Sequence, residues 1–567
     1  MEALVEQVLS KALETLKSQG KAPADFTGPV VIERPKRPEF GDFGCALPLA
    51  MARAAKRPPA ECARDLIGAI DAPAGLFEEV AFAPPGYVNF RIRPSAWFAR
   101  LDHLARIPQV GQGQRVLLEF VSANPTGPLH VGHGRGAILG DAVARLMRAA
   151  GYAVETEYLL NDVGNQMAML GRSLHARGRE ILGLPVTFPE NGYQGQYVRE
   201  LAQAFVDTAE GRAICDRPYD EVGPADDNAA VRFASSRLLD AIRETLESLD
   251  IRFDHWFSER ALHTTGRVQA SVDALLSRGF AYRDGTGAVL FKMDDEEDDE
   301  DRVIVRGNGV PTYFASDIAY HDEKAQRGYA RLINIWGADH HGYIPRVRAA
   351  MAAFGHDPDM LQVLLVQMVT LIREGQVVPM GKRTGKFVTL QEIVQEVGRD
   401  AVRFLFLLRR ADAQMDFDVD LARAQTMENP VYYVQYGHAR VASILRKAAE
   451  AGHRVPAFDP ALDAALVLPE ERAMIRDLAR FPQVVASAAS QCEPHHLAFY
   501  LMDTVKGFHS YYTRYKATEK VISDDAEKTA ARLYLVSRIQ AVLGHGLGLL
   551  GVSAPEAMHY GAEDEQT

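Results

Sequence analysis

The sequence predicts an α/β protein, in which a Rossmann-type parallel-sheet domain with an insertion lies between an N-terminal α+β domain and a C-terminal α-helical bundle. Three observations predict this fold class. A βαβ unit occupies residues 116–160, apolar strands and a helix recur within 332–371, and helical patterns alone follow residue 392. The chain has 567 residues, 47% of them hydrophobic, which suffices for several domains with ordinary cores.

The N-terminal domain is expected to span residues 1–107. Residues 3–19 place apolar side chains at helical spacing, and Gly20 follows as a stop signal. Proline and glycine then interrupt a mixed α+β stretch. Residues 108–114, Pro-Gln-Val-Gly-Gln-Gly-Gln, are typical of a linker.

The βαβ unit opens the second domain, which is expected to span residues 114–390. A strand at 116–121 leads into a Pro- and Gly-rich loop, and a helix is predicted over 132–150, with Gly151 just after its end. A second strand follows at 153–160. The loop lies at the carboxyl end of the first strand, where doubly wound sheets bind nucleotides.

The rest of the chain completes this domain and adds the bundle. Residues from about 171 to 300 are mostly polar with helical periodicity, and we interpret them as the insertion. A strand at 332–336, a helix at 345–354 and a strand at 363–371 form a second α/β half. The long helical patterns that follow predict a bundle over 391–567.

Charge and hydropathy limit the function classes. The formal charge of −12 argues against indiscriminate nucleic-acid binding, and we expect no DNA partner. Eight consecutive acids at 294–301 contribute to this figure and predict a solvated loop. Local basic patches can still bind RNA. The apolar run at 363–366 is too short to span a bilayer, and the N-terminus lacks a basic signal region, so we expect a cytoplasmic protein with no membrane partner.

The densest chemical signal is His130-Val131-Gly132-His133, at the start of the predicted helix. Histidines three residues apart can face one ligand, Gly132 leaves the backbone open to a phosphate, and a helix N-terminus favours an anion. Two imidazole donors would stabilise charge that develops on a nucleotide α-phosphate. We therefore predict that His130, Gly132 and His133 are catalytic. The alternative is a pair of structural histidines, which the surrounding strand, glycines and helix disfavour.

This segment resembles the HIGH motif of class I aminoacyl-tRNA synthetases, and its flanks resemble arginyl-tRNA synthetases in particular. The flanks are residues 119–128, Glu-Phe-Val-Ser-Ala-Asn-Pro-Thr-Gly-Pro, and 134–136, Gly-Arg-Gly. Further blocks similar to the family lie at 86–90, 161–166, 311–320, 336–343 and 429–440. The resemblance implies that L-arginine is activated by ATP, which arrives with Mg²⁺, and that the arginyl group passes to tRNA(Arg).

The resemblance also implies roles for residues around the motif. A guanidinium needs carboxylates that accept paired bonds, and Glu119 and Asp317 would supply them, helped by Tyr313. On sequence alone, Glu119 could instead be a surface acid and Asp317 a helix N-cap. The residues that would orient the amino and carboxylate ends of arginine are Ser122, Asn124 and His340. The implied ATP contacts are Asn124, Pro125, Gly127, His130, His133, Gly337, Asp339, Met380 and Lys382.

Residues 379–386, Pro-Met-Gly-Lys-Arg-Thr-Gly-Lys, are similar to the KMSKS loop of the family, whose lysines neutralise the leaving phosphates. This chain departs from the pattern, because Pro379 replaces the first lysine and Gly381 the serine. Lys382 occupies the second lysine position and is predicted to be catalytic. Arg383 or Lys386 would have to replace the missing charge, and a basic surface loop is the alternative interpretation.

Three segments are candidates for tRNA contact. Residues 86–90 resemble the end of the family's N-terminal domain, which contacts the tRNA elbow. This resemblance implies tRNA contacts from Tyr87 and Asn89. Met558 resembles the family's C-terminus near the anticodon loop, although Ala557 occupies a position where the family often has arginine.

The third segment is a helix of the predicted bundle. Tyr433, Tyr436 and Arg440 lie at spacings of three and four, so they share one helical face. Aromatic side chains stack on unpaired bases and arginine binds phosphate, which suits an anticodon loop. Packing in the core is the alternative for both tyrosines.

No metal site is predicted. The four scattered cysteines form no CxxC pair, and we interpret residues 493–496, Glu-Pro-His-His, as the polar start of a helix. Two rival functions remain open: a non-catalytic tRNA-binding relative, suggested by the altered loop, and a nucleotidyltransferase with a HIGH motif. The bundle argues against the second rival. A monomer is our expectation, although no residue pattern bears on it.

Overall fold

The computed structural model describes residues 1–293, 300–378 and 388–558. Its N-terminal part packs helices on a four-stranded antiparallel sheet of order β1-β2-β4-β3. The elements are α1 (Glu2–Ser18), β1 (Ile32–Glu33), β2 (Phe43–Cys45), α2 (Leu47–Ala55), α3 (Pro59–Ala69), β3 (Phe77–Ala83), β4 (Tyr87–Ile92) and α4 (Pro94–Phe98). The apolar stripe of α1, which includes Val5, Leu9 and Leu16, is fully buried, as its helical spacing predicts.

The central part begins with a βαβ unit and continues through a largely helical stretch. Its first elements are β5 (Arg115–Glu119), α5 (Val131–Ala149), β6 (Ala153–Leu160), α6 (Asn165–Ile181), α7 (Gln196–Val206), α8 (Ala209–Cys215), α9 (Ala229–Ser248), β7 (His255–Ser258), α10 (Glu259–Thr264), α11 (Arg267–Ser277), β8 (Ala281–Arg283), β9 (Val289–Phe291) and β10 (Arg302–Val305). Strands β8, β9 and β10 form a small antiparallel sheet.

The second α/β half follows. Its elements are α12 (Tyr313–Gln326), β11 (Arg331–Gly337), α13 (Ile344–Ala353), β12 (Leu361–Val366), β13 (Val369–Arg373) and β14 (Gln376–Val377). Five strands from both halves form one parallel sheet of order β12-β11-β5-β6-β7. The predicted parallel-sheet fold is therefore confirmed. Helix α5 packs closely on this sheet. A Cβ at Gly140 of α5 would lie 2.3 Å from the ring of Phe120, the residue after β5.

Helices dominate the last part of the chain. The elements are α14 (Leu390–Val397), α15 (Arg399–Leu407), β15 (Met415–Asp418), α16 (Val419–Arg423), α17 (Pro430–Glu450), α18 (Pro469–Leu478), α19 (Phe481–Gln491), α20 (His495–Tyr515) and α21 (Ala526–Leu549). Short 3-10 helices occur at Pro38–Phe40, Ala99–His103, Tyr219–Glu221, Ala338–Tyr343, Pro358–Met360 and Pro460–Ala465. None of the helices in the described ranges combines the length and apolarity needed to cross a membrane.

Three details differ from the sequence analysis. The segment 171–300 is not only helical, because β7 lies inside it and pairs in parallel with β6. The predicted strand 363–371 is two strands, β12 and β13, which belong to different sheets. Helices alone do not follow residue 392, because β15 pairs in parallel with β13. Strands of four residues carry too little alternation to be recognised against a helical background.

Candidate active site

His130 is the N-cap of α5 and His133 lies on its first turn, at the carboxyl edge of the parallel sheet. The backbone N–H of His130 donates to Nδ1 of His133 at 3.2 Å, so a neutral His133 ring carries its proton on Nε2. The two rings stack with centroids 3.7 Å apart. A Cβ at Gly132 would lie 3.0 Å from Cε1 of His130, so a side chain at this position would crowd the ring. Both imidazoles are therefore held side by side at a helix N-terminus.

The chain that follows residues 379–387 returns to this turn. Thr389 pairs with His130 as an isolated β-bridge, and the N–H of Leu390 donates to the Leu129 carbonyl at 2.8 Å. A Cβ at Gly134 would lie 2.5 Å from a Leu390 methyl group, which shows how closely the two segments pack. The residues predicted from the KMSKS-like loop, Met380 and Lys382, lie outside the described residues.

The backbone turns sharply after β5. Val121 and Ser122 both have positive φ values, of 68° and 40°, and this left-handed region is unfavourable for a β-branched residue such as valine. The turn brings the Ser122 hydroxyl to two partners: it donates to Glu119 Oε1 at 2.9 Å and accepts from the Leu159 N–H at 3.1 Å. Backbone strain is thus concentrated beside the predicted arginine site.

Glu119 is buried, with an exposed fraction of 4%, and its second oxygen is also bonded. Lys324 of α12 donates to Glu119 Oε2 at 2.7 Å and to the Asn334 side-chain oxygen at 2.8 Å. The alternative of a surface acid at the strand end is therefore wrong. Each carboxylate oxygen has a second lone pair, so Glu119 could still accept from a ligand while bound to Lys324 and Ser122.

Asp317 lies in α12 and accepts from the Tyr343 hydroxyl at 2.6 Å. Burial raises the pKa of Asp317 to about 7, and the carboxylates of Glu259 and Glu119 add to this rise, while the bond from Tyr343 opposes it. The N-cap of α12 is Thr312, so the N-cap alternative for Asp317 is also wrong.

Glu259 is a residue of this site that the sequence analysis missed. It begins α10 directly after β7, is 6% exposed, and lies 3.9 Å from His263, which contacts the Ser316 hydroxyl at 3.0 Å. The sequence analysis missed Glu259 because it interpreted the stretch that contains β7 as helical, so no strand end was expected there. The carboxylates of Glu119 and Glu259 and the ammonium of Lys324 therefore all lie near enough to Asp317 to act on its charge.

A chain of hydrogen-bonded buried residues lies next to Asp317. The pKa of His321 falls to about 3 because the ring is buried, and the Lys324 charge lowers it further, so the imidazole is neutral. Asn334 contacts its Nε2 at 3.0 Å, and its Nδ1 contacts the Asp317 carbonyl at 2.8 Å. The sequence did carry a signal here, since Asp317, His321 and Lys324 lie at one-turn intervals of a single helix face.

The loop between β5 and α5 forms its own network. Asn161 donates to the Asn124 oxygen at 2.7 Å, and Asn124 donates to Gln166 at 2.6 Å. Tyr313 is 55% exposed, and a Cβ at Gly164 would lie 3.2 Å from its hydroxyl. These contacts place Asn124 and Tyr313 on segments that flank residues 130–133, His-Val-Gly-His, here called the HVGH turn.

The remaining residues predicted to contact ATP occupy the same sheet edge. Pro125 is buried, and a Cβ at Gly127 would lie 3.2 Å from the Tyr197 hydroxyl. Gly337 ends β11, the strand beside β5, and the side chains that follow it are open to solvent: Asp339 is 81% and His340 61% exposed.

The predicted tRNA contacts lie in the N-terminal part and in the last part of the chain. Tyr87 and Asn89 are half-buried on β4, and both lie close to Gly44 of the neighbouring strand. Met558 lines a cavity of about 610 Å³ in the last part of the chain, together with Asn429 and Gln435.

The helical face of Tyr433, Tyr436 and Arg440 packs against α20. Arg440 lies over the Tyr436 ring at 5.1 Å and over the Tyr512 ring at 5.3 Å. Tyr433 meets His509 edge-on at 5.4 Å. Tyr436 is buried, so its ring is not an open platform for a base, and the core-packing alternative describes it better. Tyr433 and Arg440 stay partly exposed.

Glu493, His495 and His496 form one group in which a ligand atom of each lies within 4.8 Å of the others. The sequence analysis interpreted these residues as the polar start of a helix, and His495 and His496 do begin α20.

Family models and individual relatives agree on one assignment. The model of the arginyl tRNA synthetase N terminal domain matches residues 2–92, the class I (R) tRNA synthetase catalytic domain matches 99–419, and the DALR anticodon binding domain matches 434–558. The chain is 45% identical to arginine–tRNA ligases of Syntrophotalea carbinolica and Desulfosudis oleivorans, and each alignment covers 98% of this chain and 100% and 99% of the relative, respectively.

Solved structures agree with these matches. The arginyl-tRNA synthetase of Thermus thermophilus superposes with a TM-score of 0.77 at 26% identity, over 98% of this chain and 100% of that one. The enzyme of Plasmodium falciparum, at 16% identity and a TM-score of 0.72 over 98% and 99% of the two chains, shares the fold. The chain therefore belongs to the arginyl-tRNA synthetase family, whose members use ATP to join arginine to tRNA.

Proposed function

We propose that the pocket formed by Glu119, Asp317 and Glu259 binds the guanidinium of arginine. The observation that carries this proposal is the grouping of three carboxylates: burial raises the pKa of Asp317 to about 7, and the nearby carboxylates of Glu259 and Glu119 add to the rise. A guanidinium is permanently charged and presents donors in a planar fork, so it would supply the missing positive charge and hold Asp317 ionised. Tyr313, at the start of α12, is proposed to cover the bound side chain.

The α-amino and carboxylate ends of arginine would lie closer to the histidines. Ser122, Asn124 and His340 are proposed to orient them, because these residues flank the HVGH turn and the end of β11. This orientation would direct the arginine carboxylate toward the α-phosphate of ATP. Reactants held in this way need little further ordering before reaction.

ATP is proposed to lie over the N-terminus of α5, as its magnesium complex, with Mg²⁺ bound mainly by phosphate oxygens and water. Gly337 and Asp339 would contact the nucleoside, and Pro125 and Gly127 would shape the loop around the phosphates. Met380 and Lys382 keep their predicted role beside the leaving phosphates.

Two steps follow from this arrangement. An oxygen of the arginine carboxylate attacks the α-phosphorus, the bond to the β-phosphate oxygen breaks, and pyrophosphate leaves with the electron pair. His130 and His133 donate hydrogen bonds to the α-phosphate, where charge develops. A terminal ribose hydroxyl of tRNA then attacks the carbonyl carbon of arginyl-adenylate, and AMP leaves.

The regions outside the sheet would bind tRNA(Arg). We propose that residues 1–107 contact the tRNA through Tyr87 and Asn89, that 114–390 perform the chemistry, and that 391–567 bind the anticodon through Tyr433, Arg440 and Met558. That the protein is a monomer stays a prediction. Charged tRNA serves the ribosome, which favours the cytoplasm as the place of action.

Competition with arginine analogues tests the pocket. Citrulline has nearly the shape of arginine but no charge, whereas lysine has the charge but no planar fork. In arginine-dependent exchange of pyrophosphate into ATP, with tRNA present, neither analogue should compete at a hundredfold excess over arginine. Strong inhibition by citrulline would refute recognition by charge. Charging of tRNA with an amino acid other than arginine would refute the assignment of the pocket altogether.

A further inference from the structure

Arg403 of α15 is fully buried, and its guanidinium donates to three separate parts of the chain. Nε donates to the carbonyl of Leu550, just after α21, at 3.0 Å. Nη1 donates to the carbonyl of Leu249, just after α9, at 2.7 Å. Nη2 donates to the carboxylate of Asp141, which lies in α5, the helix that begins at the HVGH turn. One side chain thus joins α5 to the end of α21.

The space around this guanidinium is closed. Gly551 has a φ of 70°, and a Cβ at this position would lie 2.2 Å from Nη2 of Arg403. Asp141 also accepts from Nε of Arg145 at 2.7 Å, and Arg145 donates to the Asp250 carbonyl at 2.9 Å. Both the conformation and the packing of Gly551 therefore require glycine, and the carboxylate of Asp141 is shared by two arginines.

A second residue of α15 holds the same end of the chain. Asp400 accepts from the Ser553 hydroxyl and, at 2.8 Å, from the Gln435 side chain of α17. Gln435 also donates to the Ser553 carbonyl at 3.0 Å. Helix α15 is therefore bonded to the segment 550–553 at two points, one of which continues through Arg403 to α5.

We propose that Arg403 is a positioning residue for arginine activation, which fixes α5 against the segment 550–553 and thereby sets the place of His130 and His133. Asp141 lies ten residues after the first residue of α5, which is about 15 Å along a rigid helix. A shift at Asp141 would thus move the histidine turn. This inference rests on the catalytic role proposed for the two histidines.

The chemistry of the junction favours positioning over simple stabilisation. Removing a guanidinium from water carries a large desolvation cost, and apolar side chains of similar size often stabilise a core equally well. Apolar contacts have no preferred direction, whereas three hydrogen bonds from a planar fork fix one relative orientation of the groups that accept them. Arg403 gives this orientation to three elements that lie far apart in sequence.

The test compares two conservative arginine variants. Arg403→Lys keeps the charge but cannot make the three directed bonds, and we expect kcat of arginine-dependent pyrophosphate exchange to fall at least tenfold. Arg532→Lys is the matched control, because Arg532 is equally buried but bonds to Glu471 and Glu519 within the bundle. It should lower the melting temperature by a similar amount and leave kcat within twofold. Equal kcat losses in both variants would overturn the proposal.

A double mutant separates positioning from general damage. If Arg403 acts through the histidines, Arg403→Lys should cause less than a twofold further loss of kcat in a His133→Ala background. If the kcat of the double mutant fell by the product of the two single-mutant factors, the proposal would be overturned. Gly551→Ala, which presses on the same guanidinium, should reproduce the loss of kcat.

The catalytic role of His133 and the positioning role of Arg403 can be tested separately. If His133→Ala alone kept full kcat, the catalytic role of the histidine would be wrong, and the positioning role would fall with it. If His133→Ala lost activity while folded Arg403→Lys kept it, only the positioning role of Arg403 would be wrong.

Discussion

The ammonium of Lys324 lies 2.7 Å from the carboxylate of Glu119, and their side chains are 0% and 5% exposed. The two residues are 205 positions apart in sequence, so the bond joins α12 directly to the end of β5. It also gives the Glu119 carboxylate a cationic partner within the pocket proposed for arginine. Lys324 therefore holds one of the acids proposed to bind arginine.

Replacing Lys324 by methionine should destabilise the fold by about 3–5 kcal/mol, because it leaves the carboxylate of Glu119 buried without its partner. The measurement is the free energy of unfolding in urea. Lys11→Met is the control, since Lys11 pairs with Asp71 at the surface, where both side chains are at least 67% exposed. That change should leave the free energy of unfolding nearly unchanged, because water screens an exposed ion pair. Equal losses in both variants would contradict a special role for Lys324.

Asp317→Asn should weaken arginine binding by about 2–5 kcal/mol, as expected when one partner of a buried charge pair is removed. Isothermal titration with arginine measures this loss. Glu323→Gln lies on the same helix but pairs with Arg327, and it should change affinity less than twofold. Unchanged arginine binding in Asp317→Asn would show that the guanidinium is bound elsewhere.

The main fold and the histidine turn could be predicted from the sequence, because both depend on local patterns. The strand, the glycines and the helix around His130 and His133 are contiguous, so their arrangement follows from neighbouring residues. Glu259 could not be found in this way, since the strand before it has four residues and no alternation of burial. Arg403 was missed for another reason, because its three partners come from distant parts of the chain.

Arginine binding should depend on pH through Asp317. The pKa of this acid is raised to about 7, and only the carboxylate attracts the guanidinium. The KM for arginine should therefore be about tenfold higher at pH 6 than at pH 8, where ionisation is nearly complete. Asp317→Asn should abolish the dependence, and a flat wild-type profile would contradict a pKa near 7.

The same group affects stability with a defined sign. The folded pKa of about 7 lies above the ordinary value of 3.8, so the folded protein binds more protons than the unfolded chain between these limits. Asp317 therefore makes the free energy of unfolding fall as pH rises through this window. The fall should be smaller in Asp317→Asn, as thermal melts at pH 5 and pH 8 would show.

His133→Ala should lower kcat of pyrophosphate exchange by about 10²–10³-fold, the usual cost of losing one donor to a developing charge. The dissociation constant for arginine should change less than twofold, because the guanidinium pocket stays intact. His103→Ala, a half-exposed histidine in the N-terminal part, is the control and should keep full activity. A pure loss of arginine affinity in His133→Ala would assign His133 to substrate binding instead.

Glu259→Gln should shift the pH profile of arginine binding to lower pH. The carboxylate of Glu259 raises the pKa of Asp317, so a neutral side chain at this position should let Asp317 ionise earlier. At pH 8, where Asp317 is ionised in both proteins, the KM for arginine should rise about tenfold, because a charged acceptor is lost. Glu244→Gln, an exposed position on α9, is the matched control and should change neither quantity. If the midpoint of the pH profile did not move, Glu259 would have no effect on the pKa of Asp317, whatever the change in KM.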